Sequence, residues 1–308
     1  MRRAALVLAA LAVPVAVAVP AFSAGGPPGR PTPAKPLVAT PVVPCRVEAV
    51  AAGDFDGTPA QIAATGRVAV AEDPDVAMLL GDMSYPDGTD AQLRAGIGSS
   101  PWTTLFSRAA VVPGNHDYHT AGAADYFAYF DPPGYPAGPG AGHYYSFALG
   151  CGWRGYALDS EITGDPAYKT LWDQQLAWLT SDLAAHPSDK VVLIWHTPRY
   201  SSGKHGDNAV VGPLWNALAG RTAVVLNGHD HDYERFAVKN GVQEFVVGTG
   251  GSAERTIGNV SSGSQYRLFQ VPGVLVLTLA DTMYWWQYRT VDGRTLDPGG
   301  RATASPFF

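Results

Sequence analysis

Cysteine is nearly missing from this chain, which carries only Cys45 and Cys151 in 308 residues. That excludes a small scaffold held together by a dense disulfide framework. Basic residues are also in short supply, 21 Lys plus Arg against 27 Asp plus Glu. No basic stripe stands out, so no nucleic-acid surface is expected. Beyond the first two dozen residues no apolar run reaches the length of a membrane span. No internal repeat is visible, and nothing marks a second folded domain. Aromatic residues are not lacking, at 11% of the chain. The acidic balance is therefore that of a folded body and not of a solvated, disordered one.

The two ends of the N-terminal region differ from that body. Arg2 and Arg3 precede an apolar or proline run from Ala4 to Phe22, with Ala21 and Ser23 suited to the −3 and −1 positions of a cleavage site. Residues 1–23 are expected to be a secretory signal peptide; Pro14, Pro20 and the short length argue against a retained anchor, and no cysteine stands at the cleavage site to take a lipid. Residues 24–44 are dominated by Pro, Gly, Ala and Thr and read as a Pro-rich linker. The folded domain is expected over 45–308. In an exported chain Cys45 and Cys151 can pair, each lying at the border of a strand-like run, or remain two buried thiols.

What the body does contain is one construction, used five times. Val50-Ala-Ala-Gly53-Asp54, Met78-Leu-Leu-Gly81-Asp82, Val111-Val-Pro-Gly114-Asn115-His116-Asp117, Val191-Val-Leu-Ile-Trp195-His196 and Ala223-Val-Val-Leu-Asn-Gly228-His229-Asp230-His231 are all apolar strand-like runs. Each ends in Asp, Asn or His, usually behind a glycine. A turn residue or helix cap explains any one of them, but not all five together. In an open α/β fold, ligands gather outside the carboxyl ends of strands, so five such ends point to one metal-binding edge.

Between these runs, Thr58-Pro59-Ala60-Gln61 has the features of a helix start and predicts a helix to about Ala71. A short helix is expected near Trp102 and a long ordered loop over 118–142. Tyr144 to Leu149 and Trp153 to Leu158 predict a hairpin. Leu171 to His186 predicts an amphipathic helix with Trp172, Leu176, Leu179 and Leu183 facing the core. From Tyr233 onward, alternating runs predict antiparallel strands closing a second sheet.

Taken in order, Gly53-Asp54, Gly81-Asp82-Met-Ser-Tyr85, Gly114-Asn115-His116-Asp117, His196 and Gly228-His229-Asp230-His231 resemble the calcineurin-like metallophosphoesterases. The Gly-Asp-x-x-Tyr form is similar to the purple acid phosphatase-like branch. The resemblance covers about Val47 to Leu279 and implies an α/β fold, two facing mixed β-sheets flanked by helices in a four-layer α/β/β/α sandwich. It implies that Asp54, Asp82, Tyr85 and His231 hold a first metal ion and that Asp82, Asn115, His196 and His229 hold a second. The mixed N and O donors suit Fe with Zn, Mn or a second Fe, and a Tyr85 phenolate favours ferric iron. The implied activity is hydrolysis of small-molecule phosphate esters, monoesters first, by attack of a metal-bound hydroxide. The implied catalytic residues are His116 and, nine residues after His196, His205.

One departure is Asp54-Phe55-Asp56, where many relatives have Asp-x-His and the purple acid branch has Asp-x-Gly. Asp56 is either a helix-start residue or a further carboxylate near the first metal. The same stretch resembles the first motif of haloacid-dehalogenase-type phosphatases, in which Asp54 would be a nucleophile working with magnesium. That alternative leaves Asn115, His116, His196, His229 and His231 without roles. A non-catalytic exported metal-binding protein is the other alternative.

Overall fold

Apolar residues on both sides of a strand need cover on both sides, and the fold supplies it in four layers. The computed structural model describes residues 45–130, 144–252 and 258–303. The expected signal peptide and Pro-rich linker lie outside the described residues. The described residues all belong to one compact unit.

The first sheet contains β1 (Arg46–Ala52), β2 (Val76–Leu79), β3 (Ala109–Val111), β11 (Gly273–Ala280), β12 (Met283–Thr290) and β13 (Thr295–Ala302), in the order β13-β12-β11-β1-β2-β3. The second contains β4 (Tyr145–Gly150), β5 (Trp153–Ala157), β6 (Lys190–Ile194), β7 (Ala223–Asn227), β8 (Tyr233–Phe236), β9 (Val242–Val247) and β10 (Ser264–Leu268), in the order β10-β8-β9-β7-β6-β5-β4. Alternate residues of each strand divide between layers. Ala49, Met78, Leu80 and Leu277 meet Val192, Ile194, Leu226 and Phe245 in the core between the sheets. The outward set of the first sheet, Val50, Ala52, Leu79 and Val276, packs with Ile62, Leu93, Trp102 and Tyr126. The outward set of the second, Val191, Leu193 and Val225, packs with Leu179, Leu183 and Leu214. This is the expected two-sheet sandwich with flanking helices.

The helices on the first sheet begin with α1 (Pro59–Ala71), which starts as the sequence predicts: Thr58 and Gln61 form a capping box and Pro59 opens the first turn. α2 (Asp90–Ala95) is capped in the same way by Thr89 and Gln92. Residues Pro101–Arg108 form the short helix near Trp102 as a 3-10 helix. The segment expected as a loop over 118–142 instead contains α3 (Ala124–Phe130) after two single 3-10 turns. Tyr126 and Phe130, four residues apart, are buried against the first sheet's helices, so its aromatics are core and not loop. The rest of that segment, 131–143, lies outside the described residues.

On the second sheet, α4 (Lys169–Ala185) buries Leu179 and Leu183 as expected, but Trp172 and Leu176 are only half-buried and Gln175 takes the central place. Its amide accepts from the Asp159 N–H at 2.8 Å and donates to the Asp159 carbonyl at 2.9 Å, pairing the backbone where β5 ends. α5 (Gly212–Asn216) completes that layer.

The C-terminal strands do not all close the second sheet. Only β8, β9 and β10 join it, and β9 runs parallel to β7. β11, β12 and β13 cross to the first sheet, β11 pairing antiparallel with β1. Alternation marks a strand but does not name its partner; Val274 to Leu279, apolar on both faces, fits the middle of a sheet and is placed there. Cys45 and Cys151 form a disulfide joining the start of β1 to the β4–β5 turn, which ties one sheet to the other.

Within the first sheet β1, β2 and β3 are parallel, and within the second β5, β6, β7 and β9 are parallel. The carboxyl ends of both parallel sets therefore bring the five Asp-, Asn- and His-bearing turns to one edge of the sandwich.

Candidate metal centre

The turns that follow these strands are backbone-strained at the residues of interest. Asp54, Asp82 and His229 all have positive φ, at 59°, 52° and 72°. Non-glycine residues seldom adopt that region, and such strain collects at functional sites. Close approach matters at Gly114, where an added Cβ would lie 2.2 Å from Asp82 Oδ1 and 2.4 Å from the Asp82 nitrogen. The third strand's turn thus rests directly on the second's.

Six side chains and one phenol converge here. Tyr85 Oη lies 3.0 Å from Asp54 Oδ1, 2.7 Å from Asp82 Oδ2 and 3.0 Å from His231 Nε2. His231 Nε2 is 3.4 Å from Asp54 Oδ1. In a second group, Asn115 Oδ1 lies 3.1 Å from His196 Nε2 and 2.8 Å from His229 Nδ1, and those two nitrogens are 3.3 Å apart. Asp82 Oδ2 is 3.5 Å from His196 Nε2, so one carboxylate oxygen belongs to both groups. Donors held about 2.0–2.2 Å from a common cation come to lie roughly 3 Å from one another, which is the spacing seen. Asp54, Asp82 and His196, all buried, form a set able to hold a metal ion.

The ring orientations are set from behind. His196 Nδ1 is 2.8 Å from the Leu80 carbonyl, which only accepts, so that nitrogen carries a proton and Nε2 is the atom turned to the centre. The His229 backbone N–H donates to Asp54 Oδ2 at 2.8 Å and that of His116 to Asp82 Oδ1 at 2.8 Å. Asp117 is buried and takes the Gly114 N–H at 2.8 Å and the Met83 N–H at 3.2 Å, pinning two turns at once. That role was missed in the sequence, although Asp117 stands in the quoted Gly-Asn-His-Asp motif.

Charge is out of balance. Burial, with the neighbouring Asp82, pushes the Asp54 carboxyl up to about 7 against the pull of His196. Burial would raise Asp82 too, but the facing His196 holds it below the usual carboxylate range. Burial works against a proton on His196, yet Asp82 and Asp54 keep it well above its ordinary value. Burial together with Asp54 and Asp82 holds the Tyr85 phenol far above its usual range. Burial, with His196 and His205 nearby, lowers His229 to about 3. Protons on His196, Asp54 and Tyr85 thus balance a concentration of acceptors, and a cation can take the place of those protons. The residues fit a metal centre in both spacing and charge.

Three further residues border it. The His116 ring is tilted by 42° to that of Tyr85 with centroids 4.2 Å apart, and its Nδ1 is 2.6 Å from the Pro86 carbonyl. The His205 ring lies 4.2 Å from that of His229, so the loop histidine does reach the site. Asp56 Oδ2 lies 3.6 Å from His231 Nδ1, on the side of the ring away from Tyr85. It stands behind a candidate ligand and not among the donors.

Strand ends of two facing sheets thus carry a shared carboxylate between two donor groups. The profile of the calcineurin-like phosphoesterase family matches residues 50–233, and the chain belongs to that family. This sets aside the haloacid-dehalogenase alternative. A search among curated proteins finds no match. Similar solved structures include GAP50, the anchor in the inner membrane complex of Plasmodium, at TM-score 0.65 and 16% identity, over 84% of this chain and 89% of that one. A purple acid phosphatase from yellow lupin (Lupinus luteus) seeds aligns at TM-score 0.63 and 16% identity over 84% of this chain. This chain spans 54% of the lupin protein. A dimetal phosphatase from Danio rerio aligns at TM-score 0.59 and 12% identity, over 84% and 99% of the two chains. No helix among the described residues is long and apolar enough to cross a membrane.

Proposed function

We propose that the protein is an exported phosphoesterase with two metal ions that hydrolyses phosphate monoesters by direct transfer of the phosphoryl group to water. The observation that carries this reading is Asp82 Oδ2, 2.7 Å from Tyr85 Oη in one donor group and 3.5 Å from His196 Nε2 in the other. Asp54, Asp82, Tyr85 and His231 would hold one ion and Asp82, Asn115, His196 and His229 the other, with iron favoured in the first because Tyr85 can serve as a phenolate. When bound, the two cations make a water acidic enough to attack near neutral pH and offset the charge of the phosphoryl group.

The protein's own groups do the rest. His116 donates Nδ1–H to the Pro86 carbonyl, since a carbonyl only accepts, and in the imidazolium form its Nε2–H can donate to a phosphoryl oxygen or pass that proton to the departing alkoxide. His205 stands on the other side, over His229, and borders the same phosphoryl position. Asp54 keeps its role as a ligand; buried between Tyr85 and the His229 N–H, it has no open approach to phosphorus. Export is supported by the N-terminal residues and by the Cys45–Cys151 disulfide, a bond that persists outside the reducing cytosol.

The test is metal analysis of the purified protein together with a panel of phosphomonoesters and diesters, before and after chelation. Two ions per chain and monoester hydrolysis abolished by chelation are expected. Full activity in the metal-free protein, or rapid-quench trapping of a phosphorylated Asp54, would overturn the reading. A non-catalytic metal-binding protein would bind the ions and leave every ester intact.

A further inference from the structure

His205 has to be held in place by something other than a regular element, because it sits on the 198–207 loop. Asp230, between His229 and His231, is fully buried, and both of its oxygens are engaged by that loop. Oδ1 accepts from the His205 backbone N–H at 3.0 Å and faces the His205 ring Nδ1 at 2.9 Å. Oδ2 accepts from the Ser201 hydroxyl at 2.5 Å, and Ser201 Oγ in turn accepts from the Gly203 N–H at 2.9 Å. The loop closes tightly on this carboxylate: a Cβ on Gly203 would lie 2.2 Å from Asp230 Cγ. Neither His205 nor Asp230 stands within the two donor groups described above.

We propose that Asp230, braced by Ser201, is the positioning residue of His205, fixing the ring in the Nδ1–H tautomer with Nε2 presented beside His229. A carboxylate only accepts, so the 2.9 Å contact requires the proton on Nδ1. The backbone bond to the same oxygen sets the height of the loop, and the 4.2 Å contact between the His205 and His229 rings sets the plane of the imidazole. Asp230 therefore couples the turn that carries two candidate metal ligands to a substrate-facing histidine from a different loop. This rests on the phosphoesterase reading for its catalytic meaning, but the tautomer itself does not.

The test uses full-length, zinc-loaded protein with isotope-labelled histidine, the His205 resonances being assigned by their loss in His205→Ala. In the wild type His205 should report the Nδ1–H tautomer. In Asp230→Ala that preference should disappear, and kcat/KM for para-nitrophenyl phosphate should fall roughly 10–100-fold, the scale for removing a group that orients an active-site side chain. The double variant Asp230→Ala/His205→Ala should be no slower than His205→Ala alone, because groups acting as a unit are not additive. Asp230→Asn keeps the volume and one acceptor oxygen and should retain the tautomer with a smaller loss; Ser201→Ala should loosen it in the same direction as Asp230→Ala. An unchanged His205 tautomer in Asp230→Ala, or fully additive losses in the double variant, would overturn the proposal. Loss of bound zinc in Asp230→Asn would also overturn it, by showing that Asp230 supports the ligands and not His205. A wild type inactive on every phosphate ester whether loaded with zinc or with iron, with the tautomer effect intact, would overturn the hydrolase reading and leave the positioning role standing.

Discussion

Asp82→Asn is the substitution that bears most directly on the centre. Asparagine has the same shape, and its Oδ1 can still accept the His116 backbone N–H that Asp82 Oδ1 takes at 2.8 Å, so the turn it anchors should persist. What changes is the other atom: the oxygen 2.7 Å from Tyr85 Oη and 3.5 Å from His196 Nε2 becomes an uncharged NH₂, a donor where two cations need an acceptor. At about 4 Å and an effective dielectric near 20, each unit of charge is worth roughly 4 kcal/mol. About 1.4 kcal/mol corresponds to tenfold in affinity, so each ion should bind at least on the order of a thousandfold more weakly, and more so because each carries more than one charge. Metal analysis of purified Asp82→Asn should find the protein depleted of both ions, and phosphomonoester hydrolysis should fall to background while circular dichroism stays native. Two ions per chain with near-normal activity in Asp82→Asn would refute the shared-carboxylate arrangement. Loss of one ion with full retention of the other would assign Asp82 to a single site.

Other expectations follow from contacts already described. Gly114→Ala would put a Cβ 2.2 Å from Asp82 Oδ1; relieving that overlap takes a shift of about 1 Å, which should cost about 100-fold in kcat/KM, and wild-type kinetics would show that the two turns are not in register contact. Protein loaded with ferric iron should be violet, and Tyr85→Phe should bleach it without unfolding it; an unchanged visible spectrum would remove Tyr85 from the first donor group. Cys151→Ala opens a disulfide spanning 106 residues and should lower stability in urea by about 4–5 kcal/mol on the chain-entropy account; a change under about 1 kcal/mol would count against that account here. Gln175→Ala removes two buried hydrogen bonds to the Asp159 backbone and should cost about 1–3 kcal/mol, read as a lower urea midpoint at unchanged slope.

Much of the site was legible because its residues are written beside strand ends. An apolar run closed by Gly-Asp or Gly-Asn-His is a local pattern, and the spacing of five such runs was enough to gather Asp54, Asp82, Asn115, His196, His229 and His231. Tyr85 was legible only by resemblance, and the structure brings its hydroxyl within 3.0 Å of Asp54, Asp82 and His231 alike. Asp117 and Asp230 were not legible as supports. Both lie inside quoted motifs, but what each carboxylate accepts from, the Gly114 and Met83 amides in one case and His205 in the other, comes from chain far away or from backbone that carries no letter.

Local chemistry in the sequence by itself determined most of the strands (though not β13), the start of α1 with its Thr58–Gln61 box, the helix around Leu179 and Leu183, and the kinds of donor available to a metal. These depend on neighbours within a few residues, where propensity and periodicity act. Only the tertiary structure decided which sheet β11, β12 and β13 would join, that α3 would bury Tyr126 and Phe130, and that Gln175 would take the centre of a helix face expected to be apolar. It also decided that one oxygen of Asp82 would serve two groups of donors. The physical reason is the same in each case. A strand, an aromatic pair, a glutamine amide and a carboxylate all present more valence than their own segment can satisfy, and the partner that completes them is selected by packing the whole chain.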